Sequence, residues 1–436
     1  MTDNKATDFQ RQAGYYELVK GNRNYRSLWL GEIVSLFGDW FNLIASAALI
    51  SSLTGSGMAV GGLFVVRMLA PFLVSPIAGV VADRFDRKKI LIFADLSRMV
   101  IVLGFLLVRS ADQVWLLYVL TFLQLGISGF FYPTRNSLLP EIVSRHELGS
   151  ANALSSATWS VMLALGAAVG GIVAGSWGIY PAFVIDSVTF LISALFIYQI
   201  AYRHAPQDDG KVRSMRAINQ DYVEGLRYSF SHHDILAISL QKGAWALFLG
   251  GAFQVIQVVI AEKIFVIGEG GGTSLGLIYA ISGIGTGLGP IFARYYSGDR
   301  DSPLRKFMAG AYAIGITGTV IIAPLATFPL VMLGSLLRSF GGGINWVFST
   351  QLLLQLTPDR VRGRVFSTEF AIFTLANALG AAFGGWALDN TELTLSGMLW
   401  AMAALTLIPT AGWLAWMKFG KRQTPPGSQP VEGVAP

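Results

Sequence analysis

Largely uncharged stretches of about 20 residues recur along nearly the whole chain, each long enough for a helix to cross a ~30 Å hydrocarbon core. Leu43 to Leu53 and Met99 to Val108 lie inside two of them. Apolar side chains make up 53% of the 436 residues and charged ones 13%, with a mean hydropathy of +0.54. Soluble domains carry roughly a quarter charged residues. Such a chain needs lipid around it, and the expected fold is an all-α membrane protein.

Charged residues and Gly/Pro punctuation divide the hydrophobic pattern into twelve transmembrane helices, near 28–53, 58–82, 90–109, 113–137, 150–174, 181–202, 235–260, 274–296, 306–326, 329–355, 365–388 and 396–418. They group as two six-helix bundles, 28–202 and 235–418. The segment 203–234 reads as a cytoplasmic linker in which Tyr222, Leu226 and Phe230 recur every four residues, marking an amphipathic surface helix. Residues 1–27 form a polar cytoplasmic segment, and the Pro-, Gly- and Gln-containing stretch 419–436 reads as a disordered tail. No h-region precedes the first span, so no cleavable signal peptide is expected.

With a cytoplasmic N-terminus, the cytoplasmic segments hold 26 of the 32 Lys and Arg, the opposite side holds Arg109 and Lys263, and the spans hold the remainder. That asymmetry predicts a multi-pass protein of the cell (inner or plasma) membrane with both termini cytoplasmic. The formal charge of +6 is spread over short loops rather than gathered in one arm, which argues against a nucleic-acid partner. There are no cysteines, and His146, His204, His232 and His233 fall in predicted loops, so neither a metal nor another cofactor is expected. The spans hold no P-loop, zinc-ligand spacing or Ser-His-Asp set, so the chain does not read as an enzyme. Without a nucleotide-binding domain, its energy must come from an ion gradient.

An internal repeat ties the halves together. Gly149 stands 17 residues before Gly166-Ala-Ala-Val-Gly170-Gly171, and Gly363 stands 17 before Gly380-Ala-Ala-Phe-Gly384-Gly385, an offset of 214 residues. These glycines read as helix-packing positions. Parallel repeats of this kind build transporters whose site lies near the membrane midplane.

The sharpest local motif is Gly79-Val-Val-Ala-Asp83-Arg84-Phe-Asp-Arg87-Lys88. It resembles the loop motif of the major facilitator superfamily, with Asp86 where the commonest form has a second glycine. Tyr132-Pro-Thr-Arg135 with Leu139-Pro140, and Pro358-Asp-Arg-Val-Arg-Gly-Arg-Val365, are similar to the branch that includes enterobactin and macrolide exporters. The resemblance covers roughly residues 20 to 420. It implies a charge latch at the cytoplasmic side, with Gly79 at a close helix approach, Asp83 capping a facing helix, and Arg84, Arg87 and Lys88 pairing with nearby acids.

Ionisable groups at membrane depth are costly and are functional candidates. Asp39 lies about 17 Å into the first span at 1.5 Å per residue. A ladder of Glu32, Asp95, Arg98, Asp39 and Arg67 is expected to carry a proton, with static pairing of the first three helices as the other reading. Arg67 and Arg338, both near the midplane, favour an anionic solute. Trp40, Trp245 and Trp346 are candidates to line the same cavity.

The function expected from these features is a proton-coupled exporter of a small amphiphilic compound, a siderophore or a drug, working by alternating access as a monomer. Its partners would be the substrate, membrane lipid and the proton gradient. A lysophospholipid flippase of the same fold is a second reading, and a non-transporting membrane receptor or scaffold a third.

Overall fold

The computed structural model describes residues 14–202, 223, 226–298 and 300–420, and every regular element among them is helical. A short helix, α1 (Tyr15–Gly21), precedes twelve long ones. These are α2 (Arg23–Thr54), α3 (Gly57–Arg84), α4 (Arg87–Gly104), α5 (Val114–Ile142), α6 (Arg145–Trp177), α7 (Ile179–Tyr198), α8 (His233–Ile264), α9 (Gly272–Ser297), α10 (Asp301–Ile322), α11 (Phe328–Leu356), α12 (Asp359–Asn390) and α13 (Leu395–Phe419). Ten of the twelve are long and apolar enough to cross a membrane. The less apolar α10 and α11 carry Arg305, Lys306 and Arg338 among several glycines.

Helix α1 was not expected within the polar N-terminal segment. It forms because Leu18 finds a buried place beside Tyr25, Leu28 and Leu138. Asn22 then caps α2 by accepting from the Tyr25 amide at 3.0 Å, and its side-chain amide donates to the Ile142 carbonyl at 2.9 Å. Gly55, at φ 61, ends α2 in the left-handed conformation that suits glycine. Asp86 accepts from the Lys89 amide at 3.2 Å and so caps α4. In the linker, Leu226 to Ser231 are helical, Phe230 is exposed, and Tyr222 lies outside the described residues. Most of 203–225 and all of 421–436 lie outside them too.

The chain divides into two compact units, one of Met1–Gly55, Ala70–Val212 and Ala261–Ala280, the other of Ser56–Leu69, Arg213–Ile260 and Ile281–Pro436. The start of α3 therefore groups with the second unit, and the end of α8 with the start of α9 groups with the first. In the first unit, α2 packs on α6 and α7, and α4 packs on α5 and α7. A Cβ on Gly166 would stand 2.6 Å from the Trp40 ring, and one on Gly171 would stand 2.7 Å from the Gly272 carbonyl. In the second unit, a Cβ on Gly380 would meet the Leu247 carbonyl at 2.9 Å, and one on Gly385 would meet Met58 Cα at 2.9 Å. The same two steps recur 214 residues apart, and in each the absent side chain is what admits the neighbouring helix.

Many large apolar side chains are left exposed on these helices, among them Phe93, Ile291, Phe383 and Leu407, as a lipid-facing surface requires. The interior of the second unit gathers Ile238, Met308, Tyr312, Phe348 and Trp413. Beside them Arg305 makes two parallel bonds to Asp234, at 2.7 and 2.8 Å, and a third at 2.9 Å to Asp301. Trp416 donates to Asp234 at 3.0 Å, so α8, α10 and α13 meet at one ion pair. Arg305→Ala leaves Asp234 buried without that guanidinium and should cost about 3–5 kcal/mol. Melting of the purified protein in detergent measures this, and Asp234→Asn with Arg305→Met should recover most of the loss.

Candidate functional site

Four helices of the first unit bring its charges together. Arg98 and Asp95, one turn apart on α4, form an ion pair in which both side chains are essentially buried. Ser193 on α7 donates to the far oxygen of Asp95 at 2.6 Å. The guanidinium lies over the rings of Phe190 on α7 and Phe131 on α5, at 4.3 and 5.1 Å from their centroids. Its other edge stands 4.0 Å from Asp39 on α2, whose side chain is 24% exposed. One buried cation is thus shared by an inaccessible acid and an accessible one.

The other members of the expected ladder have neighbours of their own. Glu32 pairs with Arg135 on α5 at 3.2 Å, and Arg135 also bonds Ser155 on α6 and Asn136 at 3.1 Å. Arg135 stood in a quoted motif but was not a site candidate. Its charge inside the span read near 113–137 was the signal available in the sequence. By its contacts Arg67 groups with the second unit. Asp186 of α7 is buried with its carboxylate against Gly38, the neighbour of Asp39.

In the second unit, Trp245 is 9% exposed and packs on Tyr312, with ring centroids 5.2 Å apart. Gly315, Gly341 and Gly342 make room for the indole, so it belongs to the helix core rather than to an open cavity wall. Arg338 is buried with its guanidinium 3.7 Å from the Phe253 ring. Trp40 is half-buried against Tyr279, 5.5 Å between centroids. Trp346 remains 42% exposed, and Lys242 of α8 lies 4.1 Å over its ring. Lys242 also pairs with Glu369 of α12 at 2.6 Å, so the acids at membrane depth are not confined to the first half.

At the loop between α3 and α4, the surroundings of Gly79 and the side chains of Asp83 and Arg84 lie outside what the structure describes. Arg87 pairs with Glu141 at the end of α5, and Lys88 donates to the Ile200 carbonyl at 2.7 Å. Tyr202, beyond the end of α7, hydrogen-bonds Glu141. Burial first, and that carboxylate next, push its phenol up to about 12, so it stays a donor. Asp389, at the end of α12, accepts from the amides of Gly57 and Met58 at 2.8 and 2.9 Å and so caps the start of α3.

Geometry ranks the two acids that share Arg98. A double-mutant cycle on Asp95→Asn and Arg98→Gln should give a coupling at least about 1 kcal/mol larger than one on Asp39→Asn and Arg98→Gln. Equal couplings, read from melting curves, would contradict the arrangement.

Comparison with known proteins closes the identification of the fold. The chain is 26% identical over 406 residues to the MFS-type transporter YfiS of Bacillus subtilis, covering 90% of this chain and 94% of YfiS. It is 23% identical to the putative bacilysin exporter BacE of the same organism (84% and 88% covered), and 25% identical to the multidrug resistance protein MdtG of Salmonella paratyphi C (84% and 89%). Among solved structures, a bacterial homologue of the human lysosomal transporter Spinster superposes with a TM-score of 0.69 at 16% identity, over 91% of this chain and 97% of that one. The nucleoside transporter NupG gives 0.70 at 12% identity, over 89% and 99%. The family model of the Major Facilitator Superfamily matches residues 28–300 and 246–435, and this chain, a multi-pass secondary transporter rather than an enzyme, belongs to that superfamily.

Proposed function

We infer that the chain is a proton-coupled exporter of small amphiphilic organic compounds, of the drug or siderophore class, seated in the cell membrane with both termini cytoplasmic. The relatives named as a bacilysin exporter and a multidrug resistance protein support export. The observation that carries the coupling is the sharing of Arg98 between Asp95 and Asp39.

A proton arriving at Asp39 cancels its hold on Arg98, 4.0 Å away. Arg98 is not stranded, because Asp95 keeps it paired. An unpaired charge at this depth would cost several kcal/mol, so the second acid is what makes the protonated state affordable. The consequence is mechanical: protonation loosens α2 from α4 while α4 stays tied to α7 through Ser193. Substrate binding that favours one of these two states would couple its movement to that of the proton. In this reading the Gly79–Lys88 loop is the gate, and Arg87 and Lys88 anchor it to Glu141 and to the end of α7.

Asp39→Asn should fold normally and lose gradient-driven uptake of drugs into inverted vesicles by about 100-fold or more, the scale of a lost chemical step. Downhill exchange of the same compound should persist. Undiminished uphill transport by this variant would remove Asp39 from the coupling.

A further inference from the structure

The two units place an ionisable residue at the same station with opposite sign. Glu32 is the tenth residue of α2, and Lys242 is the tenth of α8. Glu32 is answered by Arg135 on α5, and Lys242 by Glu369 on α12. Both stations lie about 14 Å along their helices at 1.5 Å per residue.

The second pair is more lightly held than the Arg305–Asp234 and Arg98–Asp95 pairs. Arg305 holds Asp234 with two bonds, and Trp416 adds a third contact to the acid. Asp95 has Ser193 as well as Arg98. Glu369 faces Lys242 through one oxygen, and among the described residues each is the other's sole charged neighbour. Lys242 spends a second proton on Thr350 at 3.0 Å and rests on the Trp346 indole. That indole is the exposed cover of the pair, and it continues into Phe373 (5.0 Å between centroids) and then Phe370.

An ammonium is a compact point charge with three donors, and it changes partners without the geometric loss that a forked guanidinium suffers. Burying a pair with so few supporting bonds gains little stability, since desolvation roughly cancels the attraction. A carboxylate ligand beside Trp346 would offer Lys242 the same charge that Glu369 does. We propose that Lys242, Thr350 and Trp346 form a binding site for an organic carboxylate with an aromatic or apolar body, in which the ligand displaces Glu369 from Lys242.

The charges balance in a defined way. The ligand's carboxylate takes the ion pair, Glu369 is left buried, and a proton from water neutralises it. On release the proton returns to water and Glu369 regains Lys242. The aromatic wall of Trp346, Phe373 and Phe370 takes the ligand's body. This assignment rests on the transporter reading above, but it concerns equilibrium binding and needs no gradient. Export can therefore fail with binding intact, and binding can fail with Asp39-dependent export intact.

The test is calorimetric titration of the purified full chain in detergent with 4-phenylbutyrate and with its neutral amide, in two buffers of different ionisation enthalpy. The carboxylate should bind with uptake of about one proton, and the amide should bind at least about tenfold more weakly. Lys242→Gln should lose binding by at least about tenfold, whereas Glu369→Gln, which removes the competing acid, should tighten it and abolish the proton uptake. If Lys242→Gln does not fold, Lys242→Gln with Glu369→Gln supplies lysine-free protein of the same shape, and it too should fail to bind. Equal binding of acid and amide, unchanged binding without Lys242, weaker binding in Glu369→Gln, or no carboxylate binding up to millimolar concentration would each overturn the site.

Discussion

A charge buried among membrane-spanning helices must be answered by another, because no water stands by to solvate it and the cost of leaving it alone is several kcal/mol. That requirement organises the interior of both units. Arg98 ties α4 to α2, and Ser193 extends the tie to α7. Arg135 ties α5 to α2 and α6. Arg305 ties α10 to α8, and Lys242 ties α8 to α12. Each pairing joins helices that are distant in sequence, so the helices' rotations are set by where their few charges can be satisfied.

Close helix approach works alongside this. Gly166 and Gly380 stand at equivalent places of the repeat, as do Gly171 and Gly385, and each admits a neighbour that a methyl group would exclude. Such contacts are where apolar helices gain attraction in lipid, since hydrophobic burial no longer distinguishes a helix neighbour from an acyl chain. The glycine steps set distance and the ion pairs set rotation.

The buried pairs differ in how firmly they are held, and that difference separates scaffold from machinery. Arg305 and Asp234 are multiply bonded and covered by Trp413 and Trp416. The Arg98 cluster has one accessible member, Asp39. Lys242 and Glu369 have the fewest supporting bonds of the three and an exposed indole as cover. A group that must exchange partners cannot be over-determined by its surroundings, so the loosest pairs are where a proton or ligand can intervene.

Much of the fold was legible before any coordinates. Hydropathy marked the twelve helices because the hydrocarbon thickness sets their length, and the 214-residue repeat marked the equivalent glycines because close packing tolerates nothing larger. The Asp95 and Arg98 pair was legible too, since i to i+3 spacing puts both on one helix face. What no spacing rule reaches is which helix meets which. Arg135 answers Glu32 across 103 residues, Lys242 answers Glu369 across 127, and Asp389 reaches the start of α3 across 332. Trp245 reads as a wall residue in a helical pattern and is packed away by three glycines from α10 and α11. Composition and periodicity thus determined that this chain spans a membrane as paired helical repeats, because those are properties of single helices in lipid. The tertiary structure alone decided the partner of each buried charge, because that depends on rotations fixed jointly by several helices.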